Sequence, residues 1–257
     1  MRDPGALARD DVAAIAGATL ERLRAAAPRV HCITNAVAQN FTANALLALG
    51  AVPSMTLSAE EIGAFVARSG ALLVNLGTFD AERRAATAIA VETAAKHNLP
   101  WVLDPVFVDR SDSRAVYARE LMARAPAAVR LNRAEFAALA GGETSPDAFA
   151  RNHKTTIGLS GQTDLVADGT RAALIANGHP LMARVTAMGC AASALVAACL
   201  AVEPDAWRAT ASALAIIGVA GEIAAEKASG PGSFAVAILD ALHNLDAKTL
   251  NLRAKVS

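Results

Sequence analysis

The sequence predicts an α/β fold: one mostly parallel β-sheet, an antiparallel hairpin at one edge, and helices on both faces. Short apolar runs alternate with helix-period segments along almost the whole chain, and one such run, residues 71–76, is apolar enough to read as a strand buried on both sides. Two late strands flank Asp168-Gly169, a hairpin signal. The 257 residues are 54% hydrophobic, with alanine foremost, which suits many closely packed helices over one substantial core.

Taken in order, residues 10–27 form an amphipathic helix carrying Arg22 and Arg24, and 29–33 form the first strand. Thr34 and Asn35 are capping types ahead of a helix over 36–49, which Gly50 closes in the left-handed conformation. A second strand over 52–55 precedes Ser58-Ala-Glu-Glu61, whose spacing is that of a capping box opening a helix that ends near Gly70. A buried strand over 71–76 leads to a long helix over 80–98 and, after Pro100, a strand over 101–104. The strand 129–131 runs directly into Asn132-Arg-Ala-Glu135 and a helix to Leu139 ended by Gly141-Gly142. Residues 155–160 are the next strand, and Asp168-Gly169 between 165–167 and 171–176 predicts a two-residue type I′ turn. From Gly189 the chain is an alanine-rich helix former up to Val202, stopped by Pro204. Helices over 205–228 and 233–245 follow, joined by Ser229-Gly-Pro-Gly-Ser233, which separates two helices or walls the site before them. No linker, repeat or low-complexity segment divides residues 1–257, so one domain is expected.

Lys+Arg and Asp+Glu are both 24, so the charge balance offers no general attraction for nucleic acid or an acidic membrane, and small-molecule chemistry is the better default. Three cysteines, Cys32, Cys190 and Cys199, argue against a disulfide framework and for a reducing compartment. No CxxC or HExxH spacing suggests a zinc or redox site. Met1-Arg-Asp-Pro-Gly5 does not read as a secretory signal, and the longest strongly apolar run, 191–202, is too short to span a bilayer. A cytoplasmic location is expected.

The helix beginning at Gly189 has unpaired N–H groups and positive partial charge at its start, so Thr186-Ala-Met-Gly-Cys190 is an anion seat suited to phosphate. Cys190 on its rim is either a thiol made easier to ionise by the helix, able to act as base or nucleophile, or a small apolar residue opening a buried helix. Asp104-Pro105 ends a strand, where ligands bind in open α/β sheets; Asp104 is a candidate ligand for a metal or hydroxyl, or a turn former. Glu135 lies in a first helical turn just past a neighbouring strand, a place the helix dipole alone explains at about 0.3–1 kcal/mol. Together the two carboxylates are what nucleotide-bound Mg²⁺ asks of a protein. Arg130 beside them either pairs a phosphate or lies at the surface, and Ser160-Gly161 puts a hydroxyl and flexible backbone at another strand end. Of the histidines, His31 lies at a strand, His97 and His243 near helix C-termini, and His153 and His179 in or beside turns, with only His179 near the seat.

Ten segments in register between His31 and Leu242 resemble the hydroxyethylthiazole kinase family: His31-Cys-Ile-Thr-Asn35, Asn40-Phe-Thr-Ala-Asn44 with its continuation to Ala51, Asn75-Leu-Gly-Thr78, Leu103-Asp-Pro-Val106, Ala134-Glu135, Ser160-Gly161, Asp168-Gly169, Asn177-Gly-His-Pro-Leu-Met182, Gly189-Cys190 and Gly230-Pro-Gly-Ser-Phe234. The resemblance implies a ribokinase-like fold, a homotrimer with active sites between subunits, and transfer of the ATP γ-phosphoryl group to the alcohol of 4-methyl-5-(2-hydroxyethyl)thiazole in thiamine salvage. It implies Cys190 as the base, where superfamily relatives carry aspartate. Met55, Ala187 and Asn35 fall at the thiazole site, Arg130 and Ser160 at ATP, and Asp104 and Glu135 at Mg²⁺, both carboxylates being expected at exposed strand ends. Three departures stand out. The family's usual Thr-Gly-Thr-Gly-Cys is Thr186-Ala-Met-Gly-Cys190, which makes positive φ costly at Ala187 and Met188; Arg-Gly-Asn is Arg130-Leu-Asn132; and the loop after Asp-Pro-Val is Phe107-Val-Asp-Arg110. The chain is also shorter between Gly142 and Ser160. Two other readings accompany this one: a kinase for hydroxymethylpyrimidine or another vitamin alcohol on the same fold, and a catalytically silent thiazole- or nucleotide-binding regulator.

Overall fold

The structure is a computed structural model that describes residues 9–141 and 145–257. Eight strands form one sheet: β1 (Arg29–Ile33), β2 (Val52–Ser54), β3 (Ala71–Asn75), β4 (Trp101–Asp104), β5 (Ala128–Asn132), β6 (Thr156–Ser160), β7 (Asp164–Ala167) and β8 (Ala172–Ile175). Their order is β2-β1-β3-β4-β5-β6-β7-β8, parallel from β2 to β6 and antiparallel through β7 and β8. The chain steps outward from β1 to β2 and then crosses back to β3, so the switch in direction lies between β1 and β3.

Eleven helices are described: α1 (Arg9–Ala26), α2 (Gln39–Leu49), α3 (Ile62–Ala67), α4 (Ala81–Lys96), α5 (Asp112–Met122), α6 (Arg133–Ala140), α7 (Pro146–His153), α8 (Met188–Leu200), α9 (Ala206–Lys227), α10 (Pro231–Asn244) and α11 (Ala247–Arg253). The pleat sorts them into two layers. Ala71 and Leu73 of β3 face a core built with α1, α2, α8, α9, α10 and α11, while Leu72 and Val74 face a second core built with α3 to α7. That two-sided covering is why the parallel strands read as unbroken apolar runs. Helix α9 is long and apolar enough to cross a membrane, yet 78% of its apolar window is buried inside the protein, where it packs against α1, α8 and α10.

Several boundaries differ from the expected ones for physical reasons. Helix α2 begins at Gln39 because Asn35 Oδ1 accepts from the Ala38 N–H at 2.9 Å and holds 36–38 as a turn, while the Thr34 hydroxyl is buried without a partner. The capping box at Ser58 does not form: the Glu61 carboxylate accepts from the Thr56 hydroxyl instead, and α3 starts only at Ile62. The hairpin has a four-residue loop and not a type I′ turn; Gly169 alone has positive φ, and Asp168 Oδ1 gathers the N–H groups of Thr170 and Arg171. Helix α10 begins two residues early, with Pro231 at its first position. Helices α5, α7 and α11 add to the expected set, α7 being the eight-residue element of the shortened region. Gly141 closes α6 at φ 75°, whereas Gly142 lies outside the described residues.

Candidate active site

The parallel strands end on one side of the sheet, and the N-terminus of α8 comes up against the middle of that row, packing on β1, β3 and β4. Ala187 is the residue that starts α8, at φ 68° and ψ 0°; Met188 is already helical. Of the two costly positions expected in the anion seat, only Ala187 bears the left-handed conformation.

Asp104 ends β4 directly beside Asn75, which ends β3. Its carboxylate is 1% exposed; Oδ2 accepts from Asn75 Nδ2 and from the Ser193 hydroxyl, each at 2.7 Å, while Oδ1 is buried with no partner. Burial pushes the Asp104 pKa up to about 6, against the Arg130 cation and with the help of Glu135. Glu135 is 5% exposed, so neither carboxylate is at an exposed strand end as expected. Ser193 of α8 packs on Asp104, and the loop at Phe107 closes on Glu135. Glu135 Oε2 accepts from the Asn132 N–H at 2.9 Å in a capping box, and Oε1 accepts from the Phe107 N–H at 3.1 Å. Phe107 stands at φ 62°, so Glu135 restrains a left-handed residue in the loop that departs from the family pattern.

Arg130 donates from Nη2 to the Ser160 hydroxyl at 2.8 Å, and that hydroxyl donates to the Leu131 carbonyl at 3.2 Å. A Cβ at Gly189 would meet Arg130 Nη1 at 2.6 Å, so the absent side chain lets the guanidinium lie against the first turn of α8. Cation and helix N-terminus thus act on the same space. Both border an open cleft of about 860 Å³ that also takes in Asn132, Gly161, His179 and Ala192.

On the other side of the α8 start, Cys190 Sγ accepts from Asn35 Nδ2 at 3.2 Å. The sequence left Cys190 as either an easily ionised thiol or a buried helix opener; burial outweighs the helix here and, with the Asp104 charge, pushes the Cys190 pKa up to about 11, opposed by hydrogen bonds from Asn35 and Asn75 and by Arg130. Met55 follows β2 and packs half-buried against the α8–α9 core. From β6 to β2 the row therefore runs Ser160, Arg130, Asp104, Asn75, Asn35 and Met55, with Ala187 and Cys190 set over its middle.

Two participants carried no assigned role in the sequence reading. Asn75 is the one polar residue in Ala71-Leu-Leu-Val-Asn75, and Ser193 is the one hydroxyl in α8; each stood out by type, but the carboxylate they share was set by strand register. Arg114, on α5, also braces the site by donating to the carbonyls of Leu76, Gly77 and Val106. As a test of the metal expectation, the unpartnered Asp104 Oδ1 and the remaining lone pairs of Glu135 are hard oxygen donors suited to Mg²⁺. Among the described residues no group of three or more side-chain ligands converges, so phosphate oxygens and water would complete such a shell.

Known proteins share much of this sequence and its fold. The model of the hydroxyethylthiazole kinase family matches residues 20–248. A protein of Agrobacterium fabrum named probable hydroxyethylthiazole kinase is 47% identical over 244 residues, 95% of each chain. The solved structure of a hydroxyethylthiazole kinase protein from Pyrococcus horikoshii superposes with a TM-score of 0.91 at 38% identity, covering 94% of this chain and 98% of that one. A ribokinase-like superfamily protein from Enterococcus faecalis, 14% identical with a TM-score of 0.66, shares the fold over 94% of this chain and 97% of its own.

Proposed function

The chain belongs to the hydroxyethylthiazole kinase family, and from that premise we propose that it transfers the γ-phosphoryl group of ATP to the primary alcohol of hydroxyethylthiazole, serving thiamine salvage. The observation that carries this reading is the division of the site by the α8 N-terminus, with Arg130, Ser160 and the large cleft on one side and Cys190 with Asn35 on the other. A donor phosphate and an acceptor alcohol need that arrangement, the transferred group passing between them at the helix start.

Phosphoryl transfer has a loose transition state whose charge spreads over the equatorial oxygens, so it needs positioning and charge stabilisation above covalent help. Arg130 and the first N–H groups of α8 supply fixed positive charge at that point. Asp104 and Glu135 would hold Mg²⁺, which when bound neutralises phosphate charge. On this reading Met55, the small Ala187 and Asn35 line the thiazole side of the site. Cys190 takes the alcohol proton late, when bond making has made that proton acidic, which reconciles a base role with a thiol that holds its own proton at neutral pH. General-base help of this kind is worth roughly 10²- to 10⁴-fold.

The chain acts as one domain on this reading, its single sheet serving one site. A homotrimer is supported by the exposed apolar residues Leu47, Val52 and Phe65 around the edge strand β2, next to the acceptor end of the site. Three unpaired cysteines suit a cytoplasmic location. ADP release from ATP with Mg²⁺, measured across hydroxyethylthiazole, hydroxymethylpyrimidine and ribose, tests the assignment. The thiazole alcohol should be fastest; a faster pyrimidine or sugar would overturn the substrate, and no turnover with any would favour the silent regulator.

A further inference from the structure

Two amides connect the buried carboxylate to the thiol, and backbone groups fix the direction of both. Asn75 Oδ1 accepts from the Gly77 N–H at 3.0 Å, so its Nδ2 is the atom turned to Asp104 Oδ2. Asn35 Oδ1 accepts from the Ala38 N–H at 2.9 Å, so its Nδ2 is the atom turned to Asn75 Oδ1, at 3.1 Å, and to Cys190 Sγ, at 3.2 Å. A backbone N–H cannot accept, so neither amide can flip without losing a hydrogen bond. The Cys190 sulfur is therefore always a receiver, and its S–H hydrogen is directed away from Asn35. A Cβ at Gly77 would meet Asn35 Cβ and Nδ2 at 2.7 Å, so the loop after β3 closes on the Asn35 amide and keeps it in place.

We propose that Asn75 is a positioning residue of this site: anchored on Asp104 and Gly77, it holds the Asn35 amide so that Cys190 presents a hydrogen-bonded sulfur to the acceptor side. It acts on the thiol by holding Asn35 and by its own hydrogen bond to the sulfur, and it touches neither reactant. The role deepens the kinase reading, but its geometry concerns the thiol alone and can be tested without turnover. Cys32 and Cys199 are wholly buried, so alkylation by iodoacetamide in the native protein reports on Cys190. Asp104 and Arg130 are the charged groups acting on that thiol, and both remain in the variants below.

Asn75→Ala and the milder Asn75→Ser should slow Cys190 alkylation at least threefold at pH 8, because the thiolate loses the donor that stabilises it. A residue that merely packs would do the reverse, since a loosened pocket exposes the thiol and speeds the reaction. Asn35→Ala, which leaves both partners of Asp104 in place, should slow it no more than Asn75→Ala does, because Asn75 also bonds the sulfur, and the Asn35→Ala/Asn75→Ala pair should be no slower than Asn75→Ala alone. Equal or faster alkylation in folded Asn75 variants overturns the proposal. If neither Asn75 variant folds, Asn35→Ala decides, wild-type reactivity there removing the relay and a slowed thiol upholding it. In turnover, kcat should fall at least tenfold with KM for ATP within twofold. Slowed alkylation in a protein that phosphorylates no thiazole would leave the relay standing and the substrate assignment refuted.

Discussion

Replacing Ala187 by glycine should make the protein more stable. Ala187 stands at φ 68° at the start of α8, a conformation that costs a residue with a Cβ about 1–2 kcal/mol. Glycine there returns about 0.5–1 kcal/mol to the unfolded chain as extra freedom, which leaves a net gain of about 0.5–1 kcal/mol. For a chain of this size that corresponds to a rise in Tm of roughly 1–4 °C. Urea and thermal melts of the ligand-free protein measure it, and the urea midpoint should rise with the m-value unchanged. Met188→Gly is the control, because Met188 is helical and buried, so glycine there removes packing and relieves nothing. A loss of stability in both variants would refute the claim that the strain is confined to Ala187. In activity, the proposed place of Ala187 on the thiazole side implies that KM for the alcohol should change more than KM for ATP, the α8 N–H groups staying in place.

Cys190→Ser should lower kcat while hydroxyethylthiazole binding stays near normal, and Cys190→Asp should retain more activity, since a carboxylate can take the proton; steady-state kinetics with equal kcat for wild type and the serine variant would remove the base role. Asp104→Asn should weaken Mg²⁺-dependent turnover in a protein that still folds, because the amide oxygen can keep the bonds from Asn75 and Ser193; a Mg²⁺ titration of ADP release checks it. Arg114→Met should cost roughly 2–4 kcal/mol in urea unfolding, as three loop carbonyls lose their donor. His31, buried between Ser54 and the Thr56 carbonyl, has its pKa pushed down to about 4 by burial, so the unfolded chain takes up a proton first as the pH falls below about 6.5. Its stabilising contribution is complete above that pH and is lost on the way down to about 4, so the stability advantage of wild type over His31→Gln should shrink by roughly 2–3 kcal/mol between pH 7 and 4 in urea melts.

What could be read from the sequence was decided by whether a local signal had a local competitor. Strand β4 was legible to the residue because Trp101-Val-Leu103 is apolar, follows Pro100 and gives way to Asp104-Pro105. Helix α5 was not read, because Asp112-Ser-Arg-Ala-Val-Tyr-Ala-Arg-Glu-Leu-Met122 buries two alanines along with Leu121 and Met122, and alanine marks no face. The Ser58 capping box failed because Glu61 had a nearer hydroxyl in Thr56. The type I′ signature at Asp168-Gly169 failed because the aspartate side chain captured the next N–H groups and made a wider loop.

The site follows the same rule one level up. Asp104, Glu135, Arg130, Ser160 and Cys190 were placed from the ends of elements, a property of the chain near each residue. Their burial, and hence the raised pKa of both Asp104 and Cys190, comes from helices far away in sequence and could not be read locally. Asn75 shows the limit most clearly, since its polarity among apolar neighbours is visible but its partners depend on β3 pairing with β4 so that Asn75 lies directly opposite Asp104. A slip of that register by one residue would turn Asn75 to the opposite face and leave Asp104 Oδ2 with Ser193 alone. The continuous apolar strands that made the fold easy to predict are therefore also what aligns the few polar ends. The two cores fix the register, and the register assembles the carboxylate, the amides and the thiol into one site.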